Sequence, residues 1–88
     1  MFLILYYDVN TKRCVKLLKT CRKYLTWVQN SVFEGEVTEA KFERLKHELK
    51  SLIKEKDGDS VVIYQFRSLS YSKRVVIGKD KKGETQFL

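Results

Sequence analysis

Six consecutive apolar or aromatic side chains, Phe2 to Tyr7, run almost from the start of the chain and stop at Asp8. A continuous run of this length reads as a strand buried on both faces, hence one at the centre of a sheet. A central strand needs a partner on each edge, and the rest of the chain must supply them. A membrane helix needs about 20 such residues, so the run is far too short to span a bilayer. It also lacks the basic flank and small-residue cleavage site of a secretion signal.

Strand-like and helix-like segments alternate after this run. Asn10 or Thr11 caps a helix over Lys12 to Leu25, in which Cys14, Leu17, Leu18, Cys21, Tyr24 and Leu25 define one apolar stripe. Thr26 to Val37 is rich in β-branched and aromatic residues. It reads as two short strands, Trp27 to Gln29 and Val32 to Val37, around a turn at Asn30 and Ser31, where asparagine tolerates the left-handed conformation of tight hairpins. A single bent strand with a bulge at Gly35 is the competing reading. Thr38 caps a second helix with Phe42, Leu45, Leu49, Leu52 and Ile53 inward, stopped by Asp57 and Gly58. Ser60 to Arg67 is a second continuous apolar strand, and Lys73 to Lys79 a further one. A polar turn follows from Asp80 to Gly83, and the tail ends on Phe87 and Leu88.

The order is β-α-β-β-α-β, the split βαβ pattern of a ferredoxin-like α+β sandwich, with an extra C-terminal strand. Both helices cover one face of an antiparallel sheet, and the other face, carrying apolar residues of both long strands, needs a cover. A second copy of the chain is the simplest one, which predicts a homodimer. With 88 residues the chain fits a single domain, its core over residues 1–78 and a tail over 79–88.

Eighteen Lys and Arg stand against 11 Asp and Glu, a formal charge of +7 that favours anionic partners, nucleic acid first. Six of these cations, Lys12, Arg13, Lys16, Lys19, Arg22 and Lys23, fall within twelve residues that contain no acid. They are the candidate nucleic-acid-binding residues, against the alternative of a merely solvated face. Cys14 and Cys21 sit about 10 Å apart along one helix, too far for a disulfide. Reduced, buried thiols fit a cytoplasmic protein. His47 is the only histidine and lies on the charged side of the second helix, so a histidine-based zinc or nuclease site is excluded. Tyr71, in a polar loop, is the tyrosine expected to be exposed for base stacking.

Three segments together resemble one family: Tyr7-Asp8-Val9 before a basic helix, Val28-Gln29-Asn30-Ser31-Val32-Phe33-Glu34-Gly35-Glu36, and Asp59-Ser60-Val61-Val62-Ile63-Tyr64. They are similar to the smaller of the two core CRISPR adaptation proteins, the Cas-two family, and the resemblance runs to about Gly78. It implies a ferredoxin-like dimer that binds double-stranded DNA and bridges dimers of the Cas-one integrase during spacer acquisition, part of antiviral defence. It also implies, as the alternative, a magnesium-dependent endoribonuclease, with manganese able to substitute and single-stranded RNA as substrate. The family's metal ligand maps to Asp8, and its Ser-x-Phe element to Ser31 and Phe33 as further catalytic candidates. Trp27 stands where family members often carry an arginine.

Each of these residues has a plainer reading beside the functional one. Asp8 is also a solvated turn or capping aspartate. Magnesium is held by one or two carboxylates with waters and phosphate oxygens, so a single Asp8 per chain needs the dimer axis to bring in a second. Tyr7, on the opposite face of the strand, is either core or site. Ser31 makes a turn hydrogen bond or touches phosphate, and Phe33 packs. An RNA-recognition module is a third reading, weakened by the absence of that fold's aromatic signatures.

Overall fold

A computed structural model of the chain describes residues 1–67 and 73–79. The elements run β1 (Phe2–Asp8), α1 (Thr11–Arg22), β2 (Thr26–Gln29), β3 (Val32–Glu36), α2 (Glu39–Leu52) and β4 (Ser60–Phe66). The four strands form one antiparallel sheet in the order β2-β3-β1-β4. This is the ferredoxin-like α+β sandwich, with the first apolar run between two partners as its composition requires.

β1 is central but not buried on both faces. Leu3, Leu5 and Tyr7 are buried towards the helices, whereas Tyr6 on the other face is 41% exposed and its neighbour Tyr64 54%. Register sets Phe2 against Phe66, Ile4 against Tyr64, Tyr6 against Val62 and Asp8 against Ser60, so these side chains share the open face. The rings of Tyr6 and Tyr64 lie 6.4 Å apart there. The apolar run therefore reflects two faces of different fate: one packs against helices, and on the other Tyr6, Tyr64 and Phe66 are exposed although Phe2 is buried.

The core joins Leu3, Leu5, Tyr7 and Phe33 of the sheet to Leu17 and Cys21 of α1 and Phe42, Leu45 and Leu49 of α2, with Leu25 and Val37 closing its margin. Asn10 caps α1, its side-chain oxygen accepting from the Lys12 amide at 3.0 Å. The helix ends at Arg22, earlier than Leu25: the amide of Leu25 donates to the Cys21 carbonyl at 2.8 Å and turns the chain into β2. Leu25 then packs over Gly35, where an added Cβ would lie 3.3 Å from its Cδ2. Gly35 thus makes room for a neighbour and marks no bulge; the register shift sits on β2 between Trp27 and Gln29. The hairpin reading holds, with Asn30 left-handed at φ 46°.

Thr38 caps α2 as expected, accepting from the Lys41 amide at 3.2 Å. The helix stops at Leu52, before Asp57 and Gly58, which instead end a short 3-10 turn over Glu55–Asp57 with Gly58 at φ 82°. The Lys54 amide is drawn away by the Asp59 carboxylate at 2.9 Å, which explains the early stop.

The further strand expected over 73–79 is not a strand here. Val75, Val76 and Ile77 are exposed, and no strand among the described residues pairs with them. Arg74 holds the segment to Glu34 of β3, Nε to Oε1 at 2.6 Å. Tyr71, the turn from Asp80 to Gly83 and the tail with Phe87 and Leu88 lie outside the described residues.

Candidate metal and nucleic-acid site

Alternation along β1 puts Tyr7 into the core and Asp8 on the open face, at the end of the strand and exposed. The β2–β3 hairpin reaches the same end of the sheet: the Tyr7 amide donates to the Ser31 carbonyl at 3.2 Å. Burial raises the Tyr7 phenol above its ordinary pKa, and hydrogen bonding with Ser31 works in the opposite direction. Ser31 thus lies beside Tyr7. Phe33, the other member of the Ser-x-Phe element, is fully buried and stacks on Tyr7 with ring centroids 6.2 Å apart. Its part here is packing, since a side chain sealed from solvent cannot meet a phosphate.

A hard, acceptor-only carboxylate suits magnesium, which prefers oxygen donors and keeps several waters. Among the described residues, however, no group of three or more histidine, cysteine or acidic side chains is placed to hold a metal. Asp8 is thus a single exposed carboxylate on the open face, one oxygen donor of the kind magnesium takes.

The basic helix divides once its partners are seen. Lys12, Lys16 and Lys19 are exposed and have no acidic partner among the described residues. Lys23 pairs with Glu48, which also accepts from the Tyr24 hydroxyl; Lys23 first and Tyr24 second hold the Glu48 carboxyl below its usual range. Arg22 is half-buried and has an interaction of its own.

Arg13 departs furthest from the expected exposed face. It is only 9% exposed and donates through Nε to Asp59 Oδ2 at 2.5 Å and through Nη2 to Asp57 Oδ2 at 2.8 Å. The inner stripe of α1 is rotated relative to the expected one, with Arg13, Leu17, Thr20 and Cys21 buried and Cys14 and Leu18 only half so. The Asp59 side chain is fully sealed from solvent and also accepts from the Asn10 amide at 2.8 Å and the Lys54 amide at 2.9 Å. Arg13 chiefly, then the two amides, hold its carboxyl far below the usual range. Asp59 and Asp57 were missed as functional neighbours of Arg13. The available signal was that Arg13 stands four residues before Leu17 and eight before Cys21, an inward position whose buried charge demands acids.

The two remaining sequence candidates are peripheral. His47 is exposed on α2. Trp27 packs partly against the core, its indole Nε1 donating to the Asn30 carbonyl at 2.9 Å across the hairpin turn. No helix among the described residues is long and apolar enough to cross a membrane.

Comparison with known proteins places this arrangement in context. A family model described as CRISPR associated protein Cas2 matches residues 1–74. The CRISPR-associated endoribonuclease Cas2 of Dictyoglomus turgidum is 51% identical over 88 residues, covering 100% of both chains. Among solved structures, one titled crystal structure of cas2 superposes with a TM-score of 0.80 at 43% identity, covering 92% of this chain and 90% of the other. The Streptococcus pyogenes Cas2 crystal structure at pH 6.5 gives 0.75 at 39% identity, covering 90% of this chain and 100% of that one.

Proposed function

Because the chain belongs to the CRISPR-associated Cas2 family, we propose that it is a metal-dependent endoribonuclease of a CRISPR system, working in the cytoplasm, with Asp8 as its metal ligand. The naming of the Dictyoglomus turgidum relative as an endoribonuclease supports the activity. The observation that carries the assignment to Asp8 is its exposed carboxylate at the end of the central strand, on the open face of the sheet. A second copy covering the aromatic face formed by Tyr6, Tyr64 and Phe66 brings a second Asp8 into play, so the active species is a homodimer. When bound, magnesium or manganese supplies Lewis acidity to the phosphodiester and acidifies a water. The chain's own contribution is to hold that carboxylate exposed and in place. Trp27 brings no positive charge to the hairpin, so cleavage is slow.

The test uses a labelled single-stranded RNA and the purified full chain with magnesium. Cleavage that disappears with EDTA and in Asp8→Asn supports the reading. Cleavage that survives both refutes the role of Asp8. Light scattering at micromolar concentration is expected to give about twice the 10.5 kDa chain mass.

A second reading is favoured by Lys12, Lys16 and Lys19, exposed along one side of α1. In it the dimer binds double-stranded DNA and bridges Cas-one integrase dimers for spacer acquisition. Asp8→Ala separates the two roles: it abolishes cleavage and leaves duplex binding and assembly intact.

A further inference from the structure

Two loops flank Asp8. One is Val9–Asn10, which leads from β1 into α1; the other is the segment from Lys54 to Asp59, which leads into β4. One buried carboxylate joins them. Asp59 accepts the Asn10 amide from the first loop, the Lys54 amide from its own, and the Arg13 guanidinium from α1. Asn10 lies two residues after Asp8, and Asp59 lies one residue before Ser60, the register partner of Asp8. The Asp8 backbone is thus fixed from two directions at the point where β1 leaves the sheet.

Resting on the metal-dependent reading above, we propose that Arg13 and Asp59 are positioning residues for Asp8: their clasp sets the carboxylate that holds the divalent cation without touching the cation. The clasp sits on the helix side of the sheet, whereas Asp8 faces the open side, so neither residue is a ligand. Magnesium demands near-ideal octahedral geometry at about 2.0–2.1 Å, so a ligand at a strand end loses affinity if its backbone wanders. The charges agree with this arrangement. One arginine against Asp57 and Asp59 leaves the cluster formally negative, so it does not repel a cation nearby. It also explains why an arginine lies buried in a sequence otherwise rich in exposed cations: a forked donor spans two carboxylates where a lysine reaches one.

A tether that merely stabilises the fold makes a different prediction from one that positions a ligand. The experiment is a manganese titration of the full chain, with free ion followed by electron paramagnetic resonance, on wild type, Asp8→Asn, Asp59→Asn and Arg13→Lys. Circular dichroism establishes that each variant is folded under the conditions used. Asp8→Asn is expected to abolish binding. Asp59→Asn and Arg13→Lys are expected to weaken manganese binding by about tenfold or more, the range for residues that orient a ligand from behind. Saturating manganese is then expected to restore RNA cleavage in Arg13→Lys. Folded clasp variants with wild-type manganese affinity overturn the inference while leaving the Asp8 reading intact. If Asp59→Asn does not fold, Arg13→Lys alone decides, because it keeps the charge and a hydrogen bond to Asp59. Wild-type protein that binds no manganese overturns the metal reading itself, a result separate from the first.

Discussion

Reversing the charge of Lys16 and Lys19 together is the sharpest test of the basic helix, because the structure changes how many cations it offers. The six cations counted along the sequence reduce to three, Lys12, Lys16 and Lys19, once Arg13 is assigned to Asp57 and Asp59, Lys23 to Glu48, and Arg22 to its own interaction. Each neutralised phosphate contributes about −0.9 to the slope of log affinity against log salt, so three give about −2.7 per chain bound and six about −5.4. Between 50 and 200 mM salt, a slope of about −2.7 lowers affinity about 40-fold. Lys16→Glu with Lys19→Glu leaves Lys12, a slope of about −0.9 and a loss of only about 3.5-fold over the same range. The assay is fluorescence anisotropy of a short labelled duplex at several salt concentrations, with stoichiometry from a saturating titration to count chains. Dimerisation is expected to be unchanged, since both lysines are exposed on the helix side, away from the open sheet face. A double variant with wild-type affinity and slope refutes the helix as a DNA surface. A wild-type slope near −5.4 per chain refutes the assignment of three cations to internal partners.

Phe33→Ala is expected to lower stability by about 3–5 kcal/mol in urea unfolding, the cost of emptying a fully buried aromatic site. Phe33→Leu should cleave RNA at the wild-type rate per folded molecule, since Phe33 supports the site from the core. The folded pKa of Asp59 is depressed by Arg13 and by the Asn10 and Lys54 amides, so its contribution to stability is fully present above the unfolded carboxylate value of about 3.9 and is lost as pH falls below it. Urea midpoints from pH 7 down to pH 2 should therefore fall more steeply for wild type than for Asp59→Asn. Burial pushes the Cys21 thiol up to about 12 and seals it from solvent, whereas Cys14 is half-exposed. A chromogenic disulfide reagent is expected to label Cys14 alone in native protein and both thiols in denaturant, and rapid native labelling of Cys21 would contradict its place in the core.

Nearly all of the element order was legible in the sequence, because period, caps and turn residues act over a few positions. Leu17 and Cys21 mark the buried side of α1, Asn10 and Thr38 cap the helices, and Asn30 takes the left-handed conformation that a tight hairpin uses. From those local signals alone the ferredoxin-like order follows, and with it the position of Asp8 at the end of a central strand. What tertiary structure decided was which partner each residue meets. Arg13 and Asp59 are 46 residues apart: the spacing of Arg13 from Leu17 and Cys21 places it inward, but which carboxylates it meets is decided only by the fold. The competing reading of Gly35 as a bulge falls because Leu25 lies over it, and Phe33, readable from sequence as packing or as a site residue, stacks on Tyr7 in the core. The segment 73–79 has the β-branched composition of a strand, yet a strand requires hydrogen bonds to a neighbour, and the described residues of this one chain provide none. Local propensity is written in adjacent residues; burial, charge pairing and strand partners depend on groups that only folding brings together.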